Sequence, residues 1–262
     1  INDTDPLWAK DPSKLKDEDY KEFYRKLSPF DPEPLFWIHL NIDHPFELQG
    51  ILYFPKINRN KPINENNIRL YSKQVFVSDS VKNIVPEFLS LLKGVLDSTN
   101  IPLNVSRSAL QGDPNVKKIA NYIIKKVADN LKILAKKDRA RYESIWEDIG
   151  LFVKYGIVSD TKFDELMRES ALLKTRDLKT GETKLVTFSE YDDLHSAEQK
   201  EKLGGKILYF DKENRDSSLI NQLAENKYYV IELDDYIDPH CSQHIEYQKQ
   251  GEIERKFTSI DN

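Results

Sequence analysis

Apolar residues change their spacing several times along the chain, and each change predicts an element. Tyr20, Phe23, Tyr24 and Leu27 recur at steps of three and four, which predicts a helix over Ser13 to Leu27 capped by Ser13 or Asp17. Pro29, Pro32 and Pro34 then force a loop. Three strand-like runs follow: Leu35 to Ile42, Phe46 to Phe54, and Ile68 to Val77, the last read as one run. Pro55 to Asn67 reads as an exposed loop, Ile84 to Leu92 as a short helix with Pro86 in its first turn, and Gly94 to Asp97 as a strand. A long helix is predicted from Pro114 to about Lys136, on the stripe Val116, Ile119, Ile123, Val127, Leu131 and Leu134. A second covers Arg139 to Tyr155 with Gly156 as its stop, and a third Lys162 to Leu173. Lys206 to Phe210, Ser217 to Glu225 and Tyr228 to Leu233 read as strand, helix and strand, a βαβ unit with a right-handed crossover.

The fold class is therefore α/β, in three parts. Residues 1–136 form a larger α/β domain, 137–173 a helical connector, and 174–262 a smaller α/β domain. With 262 residues, 39% hydrophobic, the chain has material for more than one core. Thirty-nine basic and 44 acidic residues are interspersed, which argues against a polynucleotide partner. No apolar run is long enough to cross a membrane as a helix. The single cysteine, Cys241, cannot pair within the chain and fits a reducing compartment such as the cytoplasm. Residue 1 is Ile and the only methionine is Met167, so the chain is expected to be a piece of a longer protein.

No complete catalytic set is visible. Gly204 and Gly205 are adjacent but precede a strand, so they make no phosphate loop. His240, Cys241 and His244 cluster locally, and such groups can bind zinc or build a nucleophile, but no further ligand has suitable spacing. The expectation is a surface turn and no metal. His39 and His44 read as ordinary surface or edge residues, Trp8, Trp37 and Trp146 as packing residues, and the paired lysines of the long helix as a solvated face.

Residues 98–112 stand apart because they fit neither period. Ile101, Leu103 and Val105 alternate with polar residues, and Arg107 follows. Two readings are open. One is a short edge strand with Arg107 ion-paired to a neighbour. The other is a loop that presents Arg107 to an anion, for which a planar, permanently charged guanidinium is suited. Gln111, four residues on, would share a helical face with Arg107.

The run from Gly94 to Gln111, GVLDSTNIPLNVSRSALQ, resembles the catalytic-loop signature of heat-shock protein 90 chaperones. Leu7-Trp8, Tyr20 to Tyr24, Ile68 to Tyr71, Gln74 to Val77 and Ile84 to Leu89 resemble the family's flanking motifs, in order, and the bacterial HtpG-type branch fits best. The resemblance implies the family's middle segment: a larger α-β-α layered domain, a short helical connector and a smaller α-β-α domain. It implies that ATP, with Mg2+, is bound by a separate N-terminal domain, so that no cofactor is expected on this segment alone. Arg107 would meet the γ-phosphate of that ATP, with Gln111 assisting, and Ile101, Leu103, Asn104 and Val105 would be inter-domain loop contacts. It further implies partners: N-terminal ATPase and C-terminal dimerisation domains of the same protein, a full-length homodimer, and unfolded client proteins, with no nucleic acid and no membrane. Phe30 falls where some members carry an exposed tryptophan linked to clients. Two positions depart from the family. Ser108 follows the arginine where an acidic residue is usual, and Pro239-His240 replace an acidic residue and a tryptophan. Without the resemblance, a stand-alone protein-binding module or a small enzyme built on His240, Cys241 and His244 would be the alternatives.

Overall fold

The computed structural model describes residues 5–57, 67–79, 81, 84–102, 106–210 and 217–260, the side chains of residues 107 and 217 excepted. The chain divides into two compact units, residues 1–133 and 134–262.

In the first unit, 3-10 turns at Leu7–Ala9 and Pro12–Lys14 precede α1 (Asp17–Leu27). The predicted helix starts later than its pattern, because Asp11 accepts from the Ser13 amide and Asp19 from the Lys16 amide at 2.8 Å, fixing a turn and then a cap. Strands β1 (Phe36–Ile42), β2 (Leu48–Phe54), β3 (Ile68–Ser72), β4 (Val75–Ser78) and β5 (Lys93–Asp97) make one sheet in the order β1-β2-β5-β3-β4. The run Ile68 to Val77 is a hairpin rather than one strand. It turns at Lys73 and Gln74, both with positive φ (48° and 65°), as a two-residue hairpin turn requires. The predicted helix at Ile84 is a 3-10 turn, Glu87–Leu91, behind Pro86.

Successive residues of a strand face opposite ways, and here both faces are buried. Ile51, Tyr53 and Val95 meet Trp8, Tyr20 and Tyr24 on one side, while Leu52 and Leu96 are as deeply buried on the other. β2 and β5 approach closely through two glycines. A Cβ on Gly94, whose φ is +147°, would stand 1.9 Å from the Ile51 carbonyl oxygen, and one on Gly50 would stand 2.3 Å from that of Val95. Helices α2 (Arg107–Gly112) and α3 (Pro114–Lys137) follow β5; α3 buries Ile119, Ile123, Val127 and Leu131, and its Tyr122 meets Phe46 edge-on.

The second unit opens with α4 (Arg139–Ser144), α5 (Trp146–Ser159) and α6 (Thr161–Met167). The helix predicted over Arg139 to Tyr155 breaks at Ile145, where ψ is 0°. Gly156 does not end it: that glycine is buried inside α5, and the stop is Asp160, whose side chain caps α6. The sheet here runs β10-β8-β9-β6-β7. Its hairpin is β6 (Leu173–Arg176) and β7 (Thr183–Val186); α7 (Phe188–Asp193) and α8 (Ala197–Leu203) follow. β8 (Lys206–Phe210), α9 (Ser217–Glu225) and β9 (Val230–Glu232) are the anticipated βαβ unit, with β8 and β9 parallel. α10 (Asp238–Tyr247) and β10 (Lys256–Ser259) complete the unit.

Candidate functional site: the loop after β5

The loop's root is built from polar groups taken out of solvent, each with a partner. Asp97 ends β5 and is 5% exposed; its Oδ2 accepts from the Trp8 indole N–H at 3.0 Å and from the Gln74 amide at 2.9 Å. One carboxylate thus ties together the N-terminal segment, the β3–β4 turn and the start of the loop. Ser98, also buried, donates its hydroxyl to the Glu47 carbonyl at 2.6 Å, and its amide bonds the Tyr71 carbonyl at 3.2 Å. The Asn100 side chain accepts from the Glu47 amide at 2.9 Å. Buried polar atoms need such partners, because each left unmade costs about 1–3 kcal/mol. Ile101 is 4% exposed and anchors the loop by burial.

The far end of the loop is a helix start. Ser106 caps α2 by accepting from the Ala109 amide at 3.3 Å. Arg107 is the first residue of α2, and Gln111 lies one turn further along it, exposed. Asp113 then caps α3 through the amides of Asn115 and Val116 at 2.8 and 3.1 Å. Leu103, Asn104 and Val105 lie outside the described residues, as does the Arg107 side chain. Ile101 belongs to no strand, so the edge-strand reading has no support at that residue.

The remaining candidates are scattered. Phe30 sits between α1 and β1 and is 96% exposed. His240, Cys241 and His244 lie on α10 and do not converge. Cys241 is buried, which pushes its thiol up to about 12, and His244 bonds Asp164 at 2.8 Å. No group of metal-ligating side chains is found among the described residues. Asp164 also pairs with Arg168 through two bonds of 2.8 and 2.6 Å, and both residues are buried. Lys154 of α5 bonds Asp238 of α10 at 2.6 Å. These charges fasten α10 to α5 and α6.

Sequence reasoning missed Asp97, Glu47 and His39. His39 is not an ordinary edge residue. Its Nδ1 stands 2.8 Å from the Tyr20 hydroxyl and its Nε2 3.0 Å from the Trp8 carbonyl, an arrangement that a neutral ring satisfies on both sides. Burial lowers its pKa, partly opposed by the bond to Trp8. A histidine alternating with Ile38 and Leu40 in a strand was the only available sign of this.

The family profile described as "Hsp90 protein" matches residues 1–260. The chain is 49% identical over 263 residues to the chaperone protein HtpG of Porphyromonas gingivalis and 46% identical over 263 residues to that of Bacteroides thetaiotaomicron. Each match covers 100% of this chain and 37% of the relative, so the chain spans little more than a third of the curated relatives' length. It is 28% identical to an endoplasmin homologue of Caenorhabditis elegans. Its fold is similar to that of the middle domain of a Plasmodium falciparum heat shock protein, with a TM-score of 0.75 at 23% identity, over 98% of this chain and 100% of that one. The chain belongs to the heat-shock protein 90 family, as a segment of HtpG type with the fold of a middle domain.

Proposed function

We propose that this segment serves an ATP-driven dimeric chaperone by lending Arg107 to an ATPase site whose nucleotide pocket lies on an N-terminal domain of the same protein. The observation that carries the reading is the loop's construction: a root immobilised by Asp97, Ser98 and Ile101, and a capped helix that opens at Arg107. An arginine so held donates two parallel N–H bonds to phosphoryl oxygens and offsets the charge they gain as the terminal phosphate leaves. Gln111, one turn further along α2, assists Arg107 at the phosphate. Ile101 is the loop's contact with its own scaffold, and Leu103, Asn104 and Val105 are its contacts with the N-terminal domain. ATP with Mg2+ is held mainly by that domain, and dimer closure through a C-terminal domain brings the two halves together. Ser108 takes away a carboxylate beside Arg107 and leaves its charge undiminished. Phe30, fully presented to solvent, offers an apolar contact for unfolded clients. In the three-part division, residues 1–136 carry the loop, 137–173 connect, and 174–262 add a second surface. The protein works in the cytoplasm.

The test uses the full-length protein. Arg107→Ala cuts ATP turnover by about 10³-fold or more while ATP still binds, because an arginine finger acts on the transition state. Turnover equal to that of the parent removes Arg107 from the site.

A further inference from the structure

A cavity of about 210 Å³ lies in the first unit, and the function proposed above makes no use of it. Its walls come from three places. Leu7 and Trp8 belong to the first 3-10 turn, Phe23 and Lys26 to one face of α1, and Arg69 and Tyr71 to one face of β3. The aromatic side chains are preset. The Trp8 ring centroid is 4.6 Å from that of Tyr71 and 5.9 Å from that of Phe23, and the indole is fixed by its bond to Asp97. A cavity of about 150 Å³ accommodates benzene, so this one takes a single larger ring with a short polar arm.

The charges on the rim decide the polarity of that arm. Asp5 pairs with Lys10 at 3.7 Å, and Asp19 is committed to the cap of α1. Among the described residues, the side chains of Lys26, Arg69 and the exposed Glu22 have neither a hydrogen bond nor an ion pair within the protein. Arg69 is half-buried as well, and a cation drawn out of water without a partner is unfavourable until an anion joins it. The wall's charges balance, Lys10, Lys26 and Arg69 against Asp5, Asp19 and Glu22, and the partly desolvated one whose side chain lacks a partner is the Arg69 guanidinium.

We propose that this cavity binds a small aromatic carboxylate, its ring against Trp8, Phe23 and Tyr71 and its carboxylate held by Arg69 and Lys26. The chain labelled with ¹⁵N is titrated with indole-3-acetate, with neutral indole and with cationic tryptamine, following the Trp8 indole N–H. Indole-3-acetate gives a saturable shift with a Kd of about 1 mM, from its about 13 non-hydrogen atoms at modest efficiency each. Indole and tryptamine bind at least about fivefold more weakly, and Arg69→Gln weakens indole-3-acetate about tenfold, the worth of one charge-assisted bond. Lys26→Gln, at an exposed helix position, gives a smaller loss and serves if Arg69→Gln disturbs the sheet. No saturable shift, tryptamine binding as tightly as the acid, or full affinity in both variants overturns the proposal.

Discussion

Replacing Gly94 by alanine tests the geometry of the sheet from which the loop emerges. A Cβ there would sit 1.9 Å from the Ile51 carbonyl oxygen, 3.0 Å from its carbon and 3.2 Å from the Leu52 Cα. All three are backbone atoms, so no side chain can swing aside. Real Cβ atoms do not approach other atoms closer than 3.0 Å, so β2 and β5 must separate locally by more than 1 Å. A separation of that size breaks about two ladder bonds, at about 1 kcal/mol each, and the left-handed φ of +147° adds about 1–3 kcal/mol of backbone strain. The expected loss is about 3–5 kcal/mol. Urea denaturation followed through Trp8 and Trp37, which both lie in the first unit, should show the midpoint falling by about 1–2 M. Gly112→Ala is the control. Nothing lies within 4 Å of its Cβ, and at the end of α2 the substitution is neutral or stabilises by up to about 1 kcal/mol. A Gly94→Ala midpoint equal to the parent's would refute the close β2–β5 approach.

His39 and His195 give a pH dependence of defined sign. In His195, Nδ1 stands 3.0 Å from the Tyr191 carbonyl and Nε2 accepts from the Tyr229 amide at 3.1 Å, and burial lowers the pKa of both histidines below the ordinary 6.5. The unfolded chain therefore binds more protons just below pH 6.5. Their contribution is complete above that pH and drains away as pH falls toward the folded-state values. Melting temperatures across pH 7.5 to about 5.5 should fall less steeply in a His39→Gln, His195→Gln double variant than in the parent; equal slopes would contradict the neutral-ring assignment. Asp164→Ala leaves Arg168 buried without its bidentate partner and should destabilise the second unit by about 3–5 kcal/mol, read from Trp146 fluorescence during unfolding. Asp164→Leu with Arg168→Met should cost far less, since two packed apolar groups replace the whole pair; equal losses would mean the pair is not desolvated.

Elements with one long apolar stripe were legible in the sequence. α3 ends within a residue of its predicted limit, and β8, α9 and β9 follow in the expected order with the two strands parallel, because apolar runs flank an amphipathic helix. Failures came where tertiary contact outweighs local preference. Lys73-Gln74 carries no turn chemistry, yet both residues adopt positive φ because the hairpin demands it. Gly156 looked like a helix stop but lies buried within α5, and Gly150 in the same helix is needed because Trp146 packs where its Cβ would be, 2.9 Å away. In the candidate site, Arg107 and Gln111 were legible only through the ordered motifs around them. Asp97, Glu47 and His39 act through partners 19 to 89 residues away, separations that no local pattern encodes.

The carboxylate of Asp97 has a mechanical consequence. Because it grips Trp8 and the β3–β4 turn together, tension applied to the polypeptide ahead of residue 8 bears directly on the last residue of β5, across a separation of 89 residues in the chain. Lengthening or stiffening the chain before Trp8 would thus be felt at Asp97 through the indole and at His39 of β1 through the Trp8 carbonyl.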